Sequence, residues 1–206
     1  MALGRFITFE GVDGAGKSTQ LEYAVKYLED RGVNVVKTRE PGGTEIGETI
    51  RELILQASSP LDASTELLMI FAARNEHIER VIKPAIARGS TVVCDRFTDA
   101  TFAYQGGGSQ MESARIETIE AWVQGTLQPN ITFFFDLPIR DAQRRMGDRS
   151  RDRFESEEIA FHERVRRSYL ERAEQFPDRI QVIDSTRSKG QVRVSVEQQL
   201  AALCGL

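Results

Sequence analysis

A parallel α/β sheet with helices on both faces is the fold this sequence predicts, and three observations predict it. Short apolar runs alternate with helix-length amphipathic segments along the whole chain. Those runs lack polar faces, as strands do when a sheet is covered on both sides. The first run opens into a glycine-rich turn, "GVDGAGKST", with a helical pattern behind it. A length of 206 residues suits one domain, residues 1–206, with a sizeable core and room for a mobile appendage.

Each element has its own reason. "RFITFE" is a strand, branched and aromatic. "KSTQLEYAVKYLEDRG" is a helix with Leu21, Ala24, Val25 and Leu28 at helical spacing and Gly32 as its stop. "VNVVKT" is the second strand. "TEIGETIRELILQA" is a helix with Ile46, Ile50, Leu53 and Ile54 on one face. "TELLMIFAARNEHIERVIKPAIARG" is a long helix, kinked near Pro84. "STVVCD" is a third strand and "MESARIETIEAWVQGTL" a helix. The apolar "NITFFFDLP" is the fourth strand. "SEEIAFHERVRRSYLERAEQF", "RIQVID" and "GQVRVSVEQQLAALC" close the chain as helix, strand and helix. Five parallel strands joined by right-handed crossovers put their carboxyl ends along one edge, where the ligand belongs.

Composition excludes several functions. Net charge is −4 with acids and bases interspersed, so neither a nucleic-acid surface nor a membrane surface is expected. The N-terminus lacks the apolar core of a secretion signal, and "ITFFFDL" is too short to span a bilayer. Two cysteines make no disulfide framework, and Cys94 reads as a small buried hydrophobe. A reduced, cytoplasmic protein is expected.

Gly11, Gly16, Lys17 and Ser18 fit the phosphate-binding pattern G-x-x-x-x-G-K-[ST], in the strand–turn–helix context it requires. Gly11, Val12, Asp13, Gly14, Ala15, Gly16, Lys17, Ser18 and Thr19 form the predicted phosphate cradle. Backbone amides turn inward around oxygens, Lys17 places its charge on the outer phosphates, and the Ser18 hydroxyl ligates Mg²⁺. A GTP-dependent switch would add N-K-x-D and D-x-x-G motifs. The chain has no Asn-Lys pair, and Asp95 and Asp136 lack the glycine three residues on.

Three further stretches fall where a second substrate could sit. In "TREPGGTEIGETIREL" the glycines force a turn, and Arg51 follows on a helix, where it either grips a phosphate or is merely solvated. In "MIFAARNEH" Phe71 and Arg74 share a helix face. They suit a nucleobase, by stacking and by a hydrogen bond to a carbonyl, unless Phe71 is simply core. In "CDRFTDATFAYQGGG" Asp95 can hold Mg²⁺ through water and Arg96 can reach a phosphate. Thr101, Tyr104 and Gln105 add polar reach, and the glycines read as a close, mobile backbone. The run "QRRMGDRSRDRFE" holds Arg144, Arg145, Arg149, Arg151 and Arg153. It follows the fourth strand on the ligand side, where an arginine lid can stabilise a moving phosphoryl group and exclude water.

Together, "FITFEGVDGAGKST", "TREPGGT", "DRFTDATFAYQGGG", "DRFE" and "VID" span nearly the whole chain, and in this set the sequence resembles bacterial thymidylate kinases. The resemblance implies the nucleoside-monophosphate-kinase type of P-loop fold and a cytoplasmic homodimer. It implies Mg²⁺-dependent transfer of the ATP γ-phosphoryl group to dTMP, giving dTDP and ADP on the way to dTTP. It implies an acceptor region near 39–108 and a lid near 145–158. On it, Lys17, Arg96, Arg149 and Asp13 are the catalytic set, and Asp13 also holds the acceptor's 3′-hydroxyl. Arg51 and Arg96 hold the acceptor phosphate, Phe71 stacks on thymine, Arg74 reaches its O4, and Thr101 lies near N3. Tyr104 crowds the 2′ side, with Gln105 nearby. Arg145 lies by the adenine, Arg153 supports the lid, and Ser18 and Asp95 serve the metal.

Gly14 stands where one branch of that family carries an arginine, so this chain resembles the branch whose catalytic arginine sits in the lid. The choice between Arg149 and Arg151 stays open, because the lid is one residue shorter than in many relatives. Phe97 and Ala100 replace the hydroxyl residues of the usual acceptor motif, and His162 replaces an aromatic. Two rivals remain: a kinase for an unphosphorylated acceptor on the same fold, and a nucleotide-binding regulatory subunit that transfers nothing.

Overall fold

The computed structural model describes residues 4–57, 59, 61–147, 152–155 and 157–206. Its centre is a five-stranded sheet: β1 Phe6–Glu10, β2 Val35–Arg39, β3 Thr91–Asp95, β4 Ile131–Asp136 and β5 Ile180–Asp184. All pairings are parallel, in the order β2-β3-β1-β4-β5. β1 is buried throughout, and β3 and β4 are buried up to their last residue. That explains why these three read as nearly continuous apolar runs, each with one threonine before its terminal acid, while the edge strands β2 and β5 carry more polar positions. The central strands end in Glu10, Asp95 and Asp136, so acids gather along the carboxyl edge.

The helices are α1 Lys17–Glu29, α2 Glu45–Leu55, α3 Ala63–His77, α4 Lys83–Ala87, α5 Thr98–Thr101, α6 Ser113–Gln124, α7 Ile139–Met146, α8 Ile159–Gln175 and α9 Lys189–Cys204. The main core joins Phe9, Phe133 and Phe135 of the sheet to Leu21 and Leu28 of α1, Val165 and Tyr169 of α8, and Val196 and Leu200 of α9. Cys94 is buried, as expected.

The structure revises two sequence expectations and adds an element. The long helix expected across Pro84 is α3 and α4 joined by a π-helical turn, Ile78–Ile82. Proline has no N–H to give to the preceding turn, and the chain widens just before it. "QGGG" is not an irregular turn: it ends a second π-helical segment, Phe102–Gly108, that continues α5. A Cβ on Gly107 would stand 2.6 Å from the Ser168 Cβ, and one on Gly108 would stand 2.5 Å from the Phe161 ring. These glycines exist so that α8 can pack directly on that backbone. The added element is α7, on which the arginine-rich run begins with Arg144 and Arg145.

The packing role of Gly108 is testable. Gly108→Ala should lower unfolding stability in urea by about 1–3 kcal/mol through overpacking. Gly190→Ala, on α9 with open space around it, should leave stability unchanged or raise it by up to about 1 kcal/mol.

Candidate active site

The turn between β1 and α1 is shaped by glycines in the left-handed half of backbone space, two of which leave no room for a side chain. Gly11, Gly14 and Gly16 have φ of 133°, 83° and 95°. A Cβ on Gly11 would lie 2.7 Å from the Phe135 carbonyl oxygen, and one on Gly14 would lie 2.4 Å from that of Ala142. The backbone therefore has no room for an arginine at position 14. Lys17 is buried, and its Nζ donates to the Val12 carbonyl at 3.1 Å and to Asp13 Oδ1 at 3.3 Å. A cavity of about 660 Å³ lies against residues 13–19. Its far wall includes Arg145, whose Nη2 donates to the Ser185 carbonyl at 2.8 Å, together with Arg187 and Ser188.

A second cavity, of about 380 Å³, opens beside the first. Asp13 and Ser18 belong to the walls of both. Arg51, Arg74, Asp95, Arg96, Thr101, Tyr104 and Gln105 line it with Asp13, so eight of the nine side chains assigned to the acceptor and to Asp95's metal role come together here. Arg51 stands on α2, its Nη1 tied to the Pro41 carbonyl at 3.0 Å. Burial and the positive charges of Arg39 and Arg96 push its pKa down. Arginines so close together form a cleft in want of an anion.

Arg96 sits in the turn after β3 with φ 69°, a left-handed conformation shared among the described non-glycine residues only with Gln110. Its Nη2 grips both oxygens of Asp13, at 2.9 and 3.0 Å, and its guanidinium lies 4.9 Å over the Tyr104 ring. Arg96 and Lys17 hold the Asp13 carboxyl far below the usual range against the opposing effect of burial. The Tyr104 hydroxyl is buried and has no hydrogen bond of good geometry among the described residues. Burial drives its pKa upward, so it stays a neutral donor.

Arg74 is the largest fully buried side chain. Its Nε donates to Glu40 at 2.7 Å and its Nη2 to Thr101 Oγ1 at 2.9 Å. Nη1 is buried without a partner among the described residues, on a residue that lines the cavity. His77 Nδ1 meets the other Glu40 oxygen at 2.9 Å, so Glu40 is a buried acid with two basic neighbours. Phe71 departs from the expected site. It is 2% exposed, packs with Leu67, Phe102 and Ile116, and supports the Arg74 guanidinium at 4.7 Å. The apolar cavity wall comes instead from Ile54, Leu55, Ile70 and Phe97. One residue is 100° of helix, enough to turn Phe71 inward and Ile70 toward the cleft. Phe97 packs edge-on against Phe6 at 4.9 Å, so its ring is core as well as wall. His162 is buried against Phe161.

Arg149 and Arg151 lie outside the described residues. Arg153 is described, and its Nη1 pairs with buried Glu66, which also accepts from Gln105 Nε2 at 2.8 Å. For Mg²⁺ the residues fit. Ser18 and Asp95 share a cleft wall, and Asp95 Oδ1 is buried with no partner among the described residues. Two hard oxygens suit an ion that draws its remaining ligands from water and phosphate. The described residues hold no group of three or more His, Cys, Asp or Glu, as a closed cage would need. Sequence reasoning missed Glu10, Glu40, Glu66, Asp99 and Tyr169. Their only local signal is an ionisable or hydroxyl group amid apolar neighbours, and their partners are distant in the chain.

Glu10 offers a test by titration. It is fully buried, accepts from the Phe97 N–H at 2.7 Å and from the Tyr169 hydroxyl at 2.8 Å, and is pushed by burial and by Asp99 from 4.5 to about 8. A raised folded pKa means that folding favours the protonated acid. Its stabilising contribution is complete below the unfolded value and is lost as pH climbs through about 8. Relative to the parent, Glu10→Gln should therefore gain stability steadily as pH rises from 5 to 8 in urea titrations, with a flat difference below the unfolded value of 4.5. A difference independent of pH would contradict the shift.

Comparison with known proteins places the chain in a family. Residues 9–196 match the family model described as thymidylate kinase. The thymidylate kinase of Bordetella petrii is 54% identical over 203 residues, covering 98% of this chain and 97% of the relative. That of Nitrosospira multiformis is 49% identical over 201 residues, covering 97% and 98%. The crystal structure of the Ehrlichia chaffeensis thymidylate kinase superposes with a TM-score of 0.78 at 36% identity, over 96% of this chain and 98% of that one. By sequence across nearly its full length, and by fold, the chain belongs to the thymidylate kinase family of nucleoside monophosphate kinases, which phosphorylate dTMP.

Proposed function

We propose that this protein passes the ATP γ-phosphoryl group directly to the phosphate of dTMP, in line and without a covalent enzyme intermediate. The observation that carries the reading is the common wall: Asp13 and Ser18 border both cavities, so donor and acceptor phosphates meet there. An acceptor phosphate is already a nucleophile near neutral pH, so positioning and charge neutralisation suffice. Lys17 and the backbone amides of residues 11–19 hold the donor phosphates, with Arg145 beside the adenine. Arg51 and Arg96 hold the acceptor phosphate, and Asp13 meets the sugar 3′-hydroxyl. Arg74 offers its unpartnered Nη1 to a base carbonyl, with Thr101 beside it and Ile70 and Phe97 as the apolar wall. Tyr104, with Gln105, closes the 2′ side. Ser18 and, through water, Asp95 would hold Mg²⁺, which would add positive charge beside the phosphates. Arg149 or Arg151 completes the site from a lid spanning about 145–158, with Arg153 anchoring it on Glu66.

We further propose a cytoplasmic homodimer. No described helix is long and apolar enough to cross a membrane. Trp122 on α6 is 85% exposed and Leu68 on α3 is 57% exposed, side chains that a second copy would cover.

A coupled assay of ADP release tests the reading. dTMP should be turned over and thymidine should not, because the two arginine contacts to phosphate are charge-assisted hydrogen bonds worth about 1.5–3 kcal/mol each. Equal rates on both would overturn it. dUMP, which lacks one methyl, should be poorer by about 10–200-fold in kcat/KM. Replacing the operative lid arginine, Arg149 or Arg151, by alanine should cut kcat by about 10³–10⁵ and leave the ATP KM within a few-fold. If neither variant loses tenfold, the lid carries no catalytic arginine.

A further inference from the structure

Arg96 occupies a backbone conformation that costs energy for any residue with a Cβ, and something must hold it there. Two groups outside the binding cavity do so. Glu10, the last residue of β1, takes the N–H of Phe97, the residue directly after the left-handed one, on Oε1 at 2.7 Å. Its Oε2 accepts from the Tyr169 hydroxyl at 2.8 Å. Tyr169 reaches in from α8, with its ring stacked on Phe134 at 4.8 Å and 17°, and its hydroxyl oxygen accepts from Arg96 Nη1 at 3.4 Å. Strand, turn and helix thus meet in one chain of contacts, Phe97 N–H to Glu10 to Tyr169 to Arg96. Neither Glu10 nor Tyr169 lines the cavity.

We propose that Glu10 and Tyr169 are positioning residues, which hold the Arg96 turn and guanidinium in the orientation that receives the acceptor phosphate. The inference rests on the reading of Arg96 as a phosphate grip. Asp13 and Tyr104 hold Arg96 from the cavity side; Tyr169 holds Nη1, and Glu10 holds the backbone. A guanidinium held at both Nη atoms and over one ring face loses little freedom when the phosphate arrives, so binding becomes tighter. The chain of contacts also ties α8, the helix that follows the lid, to the acceptor grip. Buried Asp99 and the cations Arg172 and Arg179 that neutralise it stand behind the same turn.

The test is kinetic and uses the whole enzyme. Tyr169→Phe keeps the ring and its stacking on Phe134 and removes only the hydroxyl. It should raise the dTMP KM by about tenfold, the scale of one hydrogen bond to a charged group, and leave the ATP KM within about twofold. In an Arg96→Lys background the same change should have no further effect, because Tyr169 acts through Arg96. Glu10→Ala should raise the dTMP KM as well, and Glu10→Gln, which still accepts from the Phe97 N–H, should recover most of that loss. If Glu10→Ala fails to fold, Tyr169→Phe and the double-variant cycle decide alone. The inference is overturned if Tyr169→Phe leaves the dTMP KM unmoved, moves both substrates' KM equally, or adds its full effect on top of Arg96→Lys. An Arg96→Lys variant with unchanged dTMP KM overturns the phosphate-grip reading itself. A large loss there beside an unmoved Tyr169→Phe overturns only the positioning role.

Discussion

Arg51 and Arg96, drawn from water into one cleft, are the constraint on which the rest of this structure depends. Burial and the charges of Arg39 and Arg96 lower the tendency of Arg51 to be charged, while Arg96 is kept charged, against its own burial, by Tyr104, Asp13, Tyr169 and Asp95. Such a pair is tolerable only where anions balance it. Asp13 supplies one permanently, by a two-pronged grip on Arg96. The remaining positive potential is what recommends the cleft to a phosphate. Removing one member of a buried charge cluster is costly, because the survivor is left uncompensated.

The fold meets this constraint with buried acids, each assigned to a cation or to a strained piece of backbone. Glu40 orients Arg74 and His77, Glu66 takes Arg153, and Asp99 takes Arg172 and Arg179. Glu10 braces the left-handed turn at Arg96 from beneath. Parallel strands make this possible: β1 and β3, paired side by side, deliver their terminal acids and the arginine after Asp95 to the same edge. Glycines do the complementary work. They let the phosphate turn lie against β4 and α7, and they let the segment carrying Tyr104 and Gln105 lie against α8. The common wall of Asp13 and Ser18 then follows from short connections rather than from a large interdomain cleft.

Much of the fold was legible because its signals are local. All five strands and the major helices follow from apolar periodicity, and the phosphate turn follows from glycine spacing. Short α7 and the π-helical segment Phe102–Gly108 were not legible. The first is eight residues of mostly polar sequence, and the second takes its shape from packing on α8. Within the site, Lys17, Arg51, Arg74 and Arg96 could be named from residue type and from position after a strand or turn. Phe71 could not be placed, because a helix turns 100° per residue and Ile70 and Phe71 are equally apolar to any periodicity argument.

By itself, then, the sequence determined the strand–turn–helix phosphate cradle, the parallel sheet and the cations at its carboxyl edge. Those properties depend on neighbours a few residues apart. Tertiary structure alone decided which side chain faces the cleft at 70 and 71, how Arg96 is braced, and which acid meets which base. Glu10 and Tyr169 are separated by 159 positions, and Glu40 and Arg74 by 34. Contacts across such distances leave no periodic trace, since only the assembled sheet and its covering helices bring them within hydrogen-bonding reach.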